Sequence, residues 1–177
     1  MKKAALLLAF AICSTLCFAQ RVLLYNVAEV DIPATVTKIT REEAAAHLQK
    51  NFIVRQHILQ TFPLGDGLHM YRLGNMVFKL TAINERIGDG SLAETKKGTD
   101  YLSKSAFSDY TSALKKVNDN EVFVFNYSID DLHYQYFVIC NSANNKVVSG
   151  KIGYGVNDSE KAAQLLEHLL NSIKFKE

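Results

Sequence analysis

The spacing of apolar positions changes several times along this 177-residue chain, and each change marks an element. The clearest run is C-terminal. Ala162, Leu165, Leu166, Leu169, Leu170 and Ile173 recur at helical spacing, while Lys161, Gln164, Glu167, His168 and Asn171 fall on the opposite side. Asn157 or Asp158 is placed to accept hydrogen bonds from the first-turn amides, and Glu160 adds negative charge there. Immediately upstream the chain reads as strands. "EVFVFNYS", "YQYFVIC" and "KVVSGKIGY" are rich in β-branched and aromatic residues, with turn residues at Ile129 to His133 and Asn141 to Asn145, which predicts a three-strand meander. In its middle strand Tyr134, Tyr136, Val138 and Cys140 share one face and Gln135, Phe137 and Ile139 the other. Both faces are largely apolar, so a covering layer is expected on each.

The same grammar recurs upstream. "LHMYRL" and "MVFKLTAI" flank Gly74-Asn75, a pair suited to a tight hairpin turn. Thr40 and Glu43 form a capping-box pattern that opens a helix over "REEAAAHLQKNF". Leu102, Ala106, Tyr110, Ala113, Leu114 and Val117 approximate helical spacing and predict a further helix, diluted by Ser and Thr. Asn84 to Thr99, "NERIGDGSLAETKKGT", shows no apolar period and is expected to be a long exposed loop. The sum is an α+β fold. Its antiparallel sheet, of about five or more strands, is packed by helices as an α/β/α sandwich, in a single domain over residues 20–177.

The meander "EVFVFNYS…YQYFVIC…KVVSGKIGY" followed by "DSEKAAQLLEHLLNSIKF" resembles the α/β/α sandwich superfamily of PsbP-like photosystem extrinsic subunits and bacterial DcrB-like envelope proteins. The resemblance is carried mainly by the last third of the chain. It implies a fold and a compartment outside the cytoplasm. It brings no catalytic motif to transfer residue by residue, so what it says of function is analogy.

The first residues have the order of an export signal: Lys2 and Lys3, then an apolar run from Ala4 to Leu16. That run is shorter than the roughly 20 residues a membrane-spanning helix needs. Cys17-Phe18-Ala19 before Gln20 places small residues third and first before a cut, whereas Leu16 before Cys17 and Ile12 before Cys13 are the wrong neighbours for lipid attachment. Cleavage after Ala19 is the expectation, with lipidation of Cys17 the lesser alternative. A protein so processed is soluble and either periplasmic or extracellular, and the Lys-Lys start has a bacterial character.

Cleavage changes the composition. Loss of Lys2 and Lys3 takes 20 Lys+Arg to 18, level with 18 Asp+Glu, so the mature chain is neutral. Without a basic cluster, neither nucleic acid nor anionic lipid is an expected partner. Of three cysteines only Cys140 remains, and disulfides do not hold the fold. A chain of about 160 residues is long enough to bury a core by itself.

Candidate chemistry is sparse. Cys140 lies on an apolar strand face, which favours a buried thiol over a nucleophile. His47, His57, His69, His133 and His168 show no zinc-like spacing. Asp130 to His133, "DDLH", is the one local metal-like cluster, better read as a turn. The Gly-Asp-Gly pairs at 65–67 and 88–90 lack the further ligands of a calcium loop, and Ser149-Gly150-Lys151 lacks the rest of a phosphate loop. Gly150 and Gly153 suggest a bulge or a close approach of the C-terminal helix. Phe123, Phe125, Tyr127, Tyr134, Tyr136, Phe137 and Tyr154 form an aromatic set that either packs the core or lines an apolar site.

No metal or cofactor is expected. The leading reading is an exported, non-enzymatic accessory or binding protein with a protein partner in the cell envelope. The alternatives are a carrier of a small apolar ligand, and an enzyme assembled only in the fold from Cys140, His133 and Asp131.

Overall fold

The computed structural model describes residues 19–53, 69–85, 91–107, 109–141, 143 and 145–177. The expected leader up to residue 18 and both Gly-Asp-Gly stretches lie outside the described residues. In chain order the elements are β1 (Gln20–Leu24), β2 (Ala28–Ile32), β3 (Thr37–Lys38), α1 (Arg41–Asn51), β4 (His69–Leu73), β5 (Met76–Ile83) and α2 (Leu92–Ala106). Then come β6 (Thr111–Val117), β7 (Asn120–Ile129), β8 (Leu132–Cys140), β9 (Val147–Tyr154), a 3₁₀ turn at Val156–Asp158, α3 (Ser159–Ser172) and β10 (Lys174–Phe175).

Seven antiparallel strands form the main sheet in the order β3-β4-β5-β9-β8-β7-β6, and β1-β2-β10 form a smaller one. The expected α+β sandwich is present, with a layer on each face of the main sheet. On one face α3 and the small sheet share a core with Tyr71, Phe78, Leu80, Phe137, Ile139, Val148 and Ile152. Leu165, Leu166, Leu169 and Leu170 carry the helix side of that core, each buried leucine contributing about 1.5–3 kcal/mol. On the other face α1 sits over Met70, Val77, Leu132 and Tyr134, and Leu92 of α2 packs with Phe123, Val138, Cys140 and Val147.

The turn chemistry follows the residues. Gly74 takes a φ of 59° between β4 and β5. Asn118 and Asp119 take 48° and 66° between β6 and β7, the left-handed region that Asn and Asp tolerate. The α1 capping box is complete: Thr40 Oγ1 accepts from the Glu43 amide at 3.2 Å, and Glu43 Oε2 accepts from the Thr40 amide at 2.7 Å. Thr40→Ala is expected to cost about 1 kcal/mol, read as a lower urea midpoint with an unchanged slope.

Three expectations are corrected. The helix assigned to Leu102 through Val117 starts and ends earlier, at Leu92 and Ala106, and Thr111–Val117 is the edge strand β6. A second capping box, Ser91 with Glu94, starts this helix inside what read as a loop, and pairing with β7 overrides the helical spacing of Ala113, Leu114 and Val117. Asp158 precedes α3, but its side chain makes no capping hydrogen bond, because the chain enters through the 3₁₀ turn. Gly150 answers the ring of Phe137 rather than a bulge or α3: a Cβ there would lie 2.3 Å from a ring carbon.

Candidate functional site

The α1/α2 face of the main sheet gathers the molecule's least ordinary chemistry. Alternation along β7 and β8 brings Phe123, Phe125 and Tyr127 beside Tyr134 and Tyr136, forming a row of rings. Their centroids stand 5.3 Å apart for Phe123 and Phe125, 4.8 Å for Phe125 and Tyr136, 6.0 Å for Phe125 and Tyr127, and 5.0 Å for Tyr127 and Tyr134. The row ends at Lys151, whose Nζ lies 4.1 Å from the Tyr134 centroid and 5.3 Å from that of Tyr127. Directly across the ladder from Lys151 stands Lys79. Two like-charged side chains thus sit side by side, only 6% and 8% exposed for Lys79 and Lys151 respectively.

Burial sets their electrostatics. It lowers the Lys79 amine to about 8, and burial together with the Lys79 charge lowers Lys151 to about 7, so that both titrate near neutrality. Burial pushes the Tyr127 hydroxyl up to about 12 and raises that of Tyr134 further. Strongly shifted amines beside an aromatic row mark this face as the candidate site. The sequence reading did not single out either lysine for its burial. The available signal was a lysine inside each of two apolar strands, "MVFKLTAI" and "VVSGKIGY".

The layer over the rings is unusual as well. α2 packs on β6 and β7. Its half-buried stripe is Thr95, Lys96, Thr99, Asp100 and Ser103, and Leu92 is its buried residue. Thr95 and Thr99 donate their hydroxyls back to the carbonyls of Ser91 and Thr95. Phe125, Tyr127 and Tyr136 are half-buried, and rings beyond the end of α2 complete the cover: Phe107 packs on Tyr127 with centroids 4.7 Å apart and Tyr110 on Phe125 at 5.9 Å. Asp100 fastens the helix down, accepting from Lys96 Nζ at 2.5 Å, Ser112 Oγ at 2.6 Å and the Tyr110 hydroxyl at 2.9 Å. The Lys96 and Ser112 bonds hold its carboxyl well below the usual range.

The residues offered for an enzyme are not brought together. Cys140 and His133 stand at opposite ends of β8 and on opposite faces, and Asp131 is in the β7/β8 turn. Cys140 is fully buried, and burial followed by the Glu121 charge pushes its thiol up to about 11, so a thiolate is not available near neutral pH. Asp130 in the same turn takes a φ of 54°, as the turn reading requires. His133 instead stacks on Tyr154 at 5.7 Å and meets Ser128 Oγ at 2.6 Å through Nδ1, while Ser128 also bonds Asp109. With the hydroxyl donating to the carboxylate, the imidazole must donate to the hydroxyl. That order ties residue 109 to the hairpin and is the reverse of nucleophile activation. No group of three or more His, Cys, Asp or Glu suited to a metal occurs among the described residues. Of the aromatic set, Phe137 and Tyr154 belong to the α3 core and the other five to the α1/α2 face.

A groove of about 540 Å³ runs between the β4/β5 turn and α3, with Leu73, Met76 and Leu165 below and Lys161 and His168 at its rim. Lys161 pairs with Asp158 at 3.3 Å and His168 Nε2 donates to the Asp31 carbonyl at 2.9 Å, so these rim groups are engaged within the protein.

No protein-family model matches the chain. None of the curated proteins matches it. Solved structures do. The chain is similar to cyanobacterial PsbP (CyanoP) from Synechocystis sp. PCC 6803, with a TM-score of 0.54 and 10% identity over 91% of this chain and 94% of that one. The chain has the PsbP/Mog1-like fold. The likeness seen in the last third of the sequence therefore extends over about nine tenths of it. A Bacteroides thetaiotaomicron protein has the same fold, at a TM-score of 0.54 and 10% identity over 90% of this chain, which spans about half (49%) of that longer chain. The Saccharomyces cerevisiae Ran-binding protein Mog1p matches with a TM-score of 0.50 and 10% identity, over 88% of this chain and 94% of its own. Within the PsbP/Mog1-like fold described here, the lysine pair occupies the central strands β5 and β9. No helix among the described residues is long and apolar enough to cross a membrane.

Proposed function

We propose that this chain is an exported, non-enzymatic binding module that holds a protein partner against the outer surface of α2 and the edge strand beneath it. The observation that carries this reading is apolar exposure: Tyr101 and Leu102 of α2 are 83% and 69% exposed, and Leu114 of β6 is 44% exposed. Large apolar side chains grouped on one region of a surface mark contact sites. Among the described residues β6 ends the main sheet, with no neighbouring strand on its outer side. The fold accommodates such a task, since Mog1p is a Ran-binding protein. Export is supported by the order of the first residues, Lys2 and Lys3, an apolar run from Ala4 to Leu16, and a small residue, Ala19, before Gln20.

Capture from the envelope fraction of expressing cells tests this reading. Wild-type protein is expected to retain a defined partner, and the Tyr101→Asp, Leu102→Asp double variant to lose it while unfolding at the same temperature, because both side chains lie on the surface. Recovery of the same partner with the double variant would sink the proposed surface. Export is checked by intact mass, where a chain beginning at Gln20 outside the cytoplasm is expected and an uncut chain inside it contradicts the reading.

A further inference from the structure

We propose that β6 pairs with β6 of a second copy of this chain, antiparallel about a two-fold axis at Leu114, so that the two main sheets run on as one. This rests on the reading above in taking β6 as a contact edge, while Tyr101 and Leu102 stay outside the pairing.

The turn that follows β6 sets which of its backbone groups face outward. Asn118 and Asp119, both at positive φ, form a two-residue turn that Val117 and Asn120 close as directly opposed residues. Such a closing pair exchanges both of its backbone hydrogen bonds, and alternation then turns the amides and carbonyls of Thr111, Ala113, Lys115 and Val117 toward β7. Those of Ser112, Leu114 and Lys116 face away from the sheet. The Ser128 amide agrees with this phase: an even number of residues beyond Asn120, it points to the β6 side and donates to Asp109 Oδ1 at 3.1 Å. The two ends of the sheet also differ. β3 has two residues, too short to template another strand, whereas β6 has seven, with no proline and no bulge in its pairing with β7.

Side chains select the register. An axis at Leu114 sets that residue against its copy, Ser112 against Lys116 and Ala113 against Lys115, and the outward residues exchange roughly six backbone hydrogen bonds. No two lysines are opposed. An axis at Lys116 would put like charges face to face, and one at Ser112 would leave half of the strand unpaired. Lys115 is held on the α3 side by Glu167 at 2.5 Å, and Leu114, 44% exposed, becomes covered at the axis. Ser112 donates to Asp100 of α2, so Leu114 shares the α2 face of the strand, and a two-fold axis normal to the sheet keeps both α2 helices on that face. The joined sheet therefore carries the surface around Tyr101 and Leu102 twice, on one side.

An interface of one strand pair is small, so sedimentation velocity is expected to show wild-type dimers that dissociate on dilution over about 5–200 µM. Leu114→Lys opposes like charges at the axis and should give a folded monomer throughout, while the Tyr101→Asp, Leu102→Asp double variant should dimerise as wild type does. Thermal unfolding establishes that each is folded. Register is read by oxidation with copper phenanthroline: Leu114→Cys should yield a disulfide-linked dimer, and Thr111→Cys, about 20 Å from its copy, should not. Cys140 is buried and does not interfere. Wild type that is monomeric at every concentration, folded Leu114→Lys that still dimerises, a monomeric Tyr101, Leu102 double variant, or equal linking at the two cysteines would each overturn the pairing. The protein-partner reading fails separately, through capture that survives the Tyr101, Leu102 double variant.

Discussion

Replacing Lys151 by methionine is expected to raise stability at and below neutral pH and to flatten its rise toward alkaline pH. Among the described residues, the groups facing the amine include Lys79 across the ladder and the rings of Tyr134 and Tyr127. Burial and the Lys79 charge lower Lys151 from 10.5 to about 7. An unfolded lysine holds its proton to about pH 10.4. From about pH 7 upward the unfolded chain therefore binds more protons than the folded one, and stability increases with pH. Lys79, lowered to about 8, acts in the same sense. Cys140 and Tyr127, raised to about 11 and about 12, act in the opposite sense, but only above their ordinary values of roughly 8.5 and 10. The rise between pH 7 and 8.5 thus belongs to the lysines. For Lys151 the effect is on the order of 2–4 kcal/mol, at 1.36 kcal/mol per pKa unit and with allowance for relaxation around the charge. Methionine fills the same space without the charge, though it gives up the contact of the cation with Tyr134. Urea unfolding at pH 6, 7, 8 and 9 measures the difference, and parallel curves for wild type and variant would refute the assignment.

Gly150→Ala is expected to destabilise the protein by about 3 kcal/mol, the upper part of the range for overpacking a core. For a domain of this size that lowers the melting temperature by about 6–12 °C. The added Cβ would lie 2.3 and 2.5 Å from two ring carbons of Phe137 and 2.9 Å from Leu80 Cδ2. Phe137 and Leu80 are the residues paired with Gly150 on its two sides, and both are fully buried, so neither has open space to move into. Adding Phe137→Leu to Gly150→Ala should recover part of the loss, because the ring is what the methyl meets. Gly98→Ala provides the contrast: its Cβ meets nothing within 4 Å inside α2, and alanine there should stabilise by about 0.5–1 kcal/mol. Equal effects at the two glycines, measured by thermal unfolding, would contradict this account.

The parts legible in the sequence are those held together by neighbours in the chain. The β7-β8-β9 meander, the β4/β5 hairpin, the α1 capping box and the buried stripe of α3 all depend on contacts a few residues apart or on a single repeated period. Residues 102–117 show where that signal fails. Their spacing suits a helix, yet Ala106 ends α2, Asn118-Asp119 makes a left-handed turn, and the intervening stretch gains more by pairing with β7. The small sheet was illegible for a related reason: β2 lies between β1 and the two-residue β10, which joins it from the opposite end of the chain.

The candidate site divides in the same way. The alternation of side chains along each strand already separates Tyr134 and Tyr136 from Phe137, and it marks Cys140 as a buried apolar-face residue. Nothing in a linear reading pairs Lys79 with Lys151, because their adjacency depends on the register between β5 and β9, strands separated by the whole of α2 and three other strands. By itself, the sequence determined the α+β class, the period of most elements and the absence of a local catalytic motif, since these are properties of short stretches. Tertiary structure alone decided which strands lie side by side, that a polar helix covers an aromatic row, and that two lysines share one buried place, since each depends on contacts between distant segments and on the water their packing excludes.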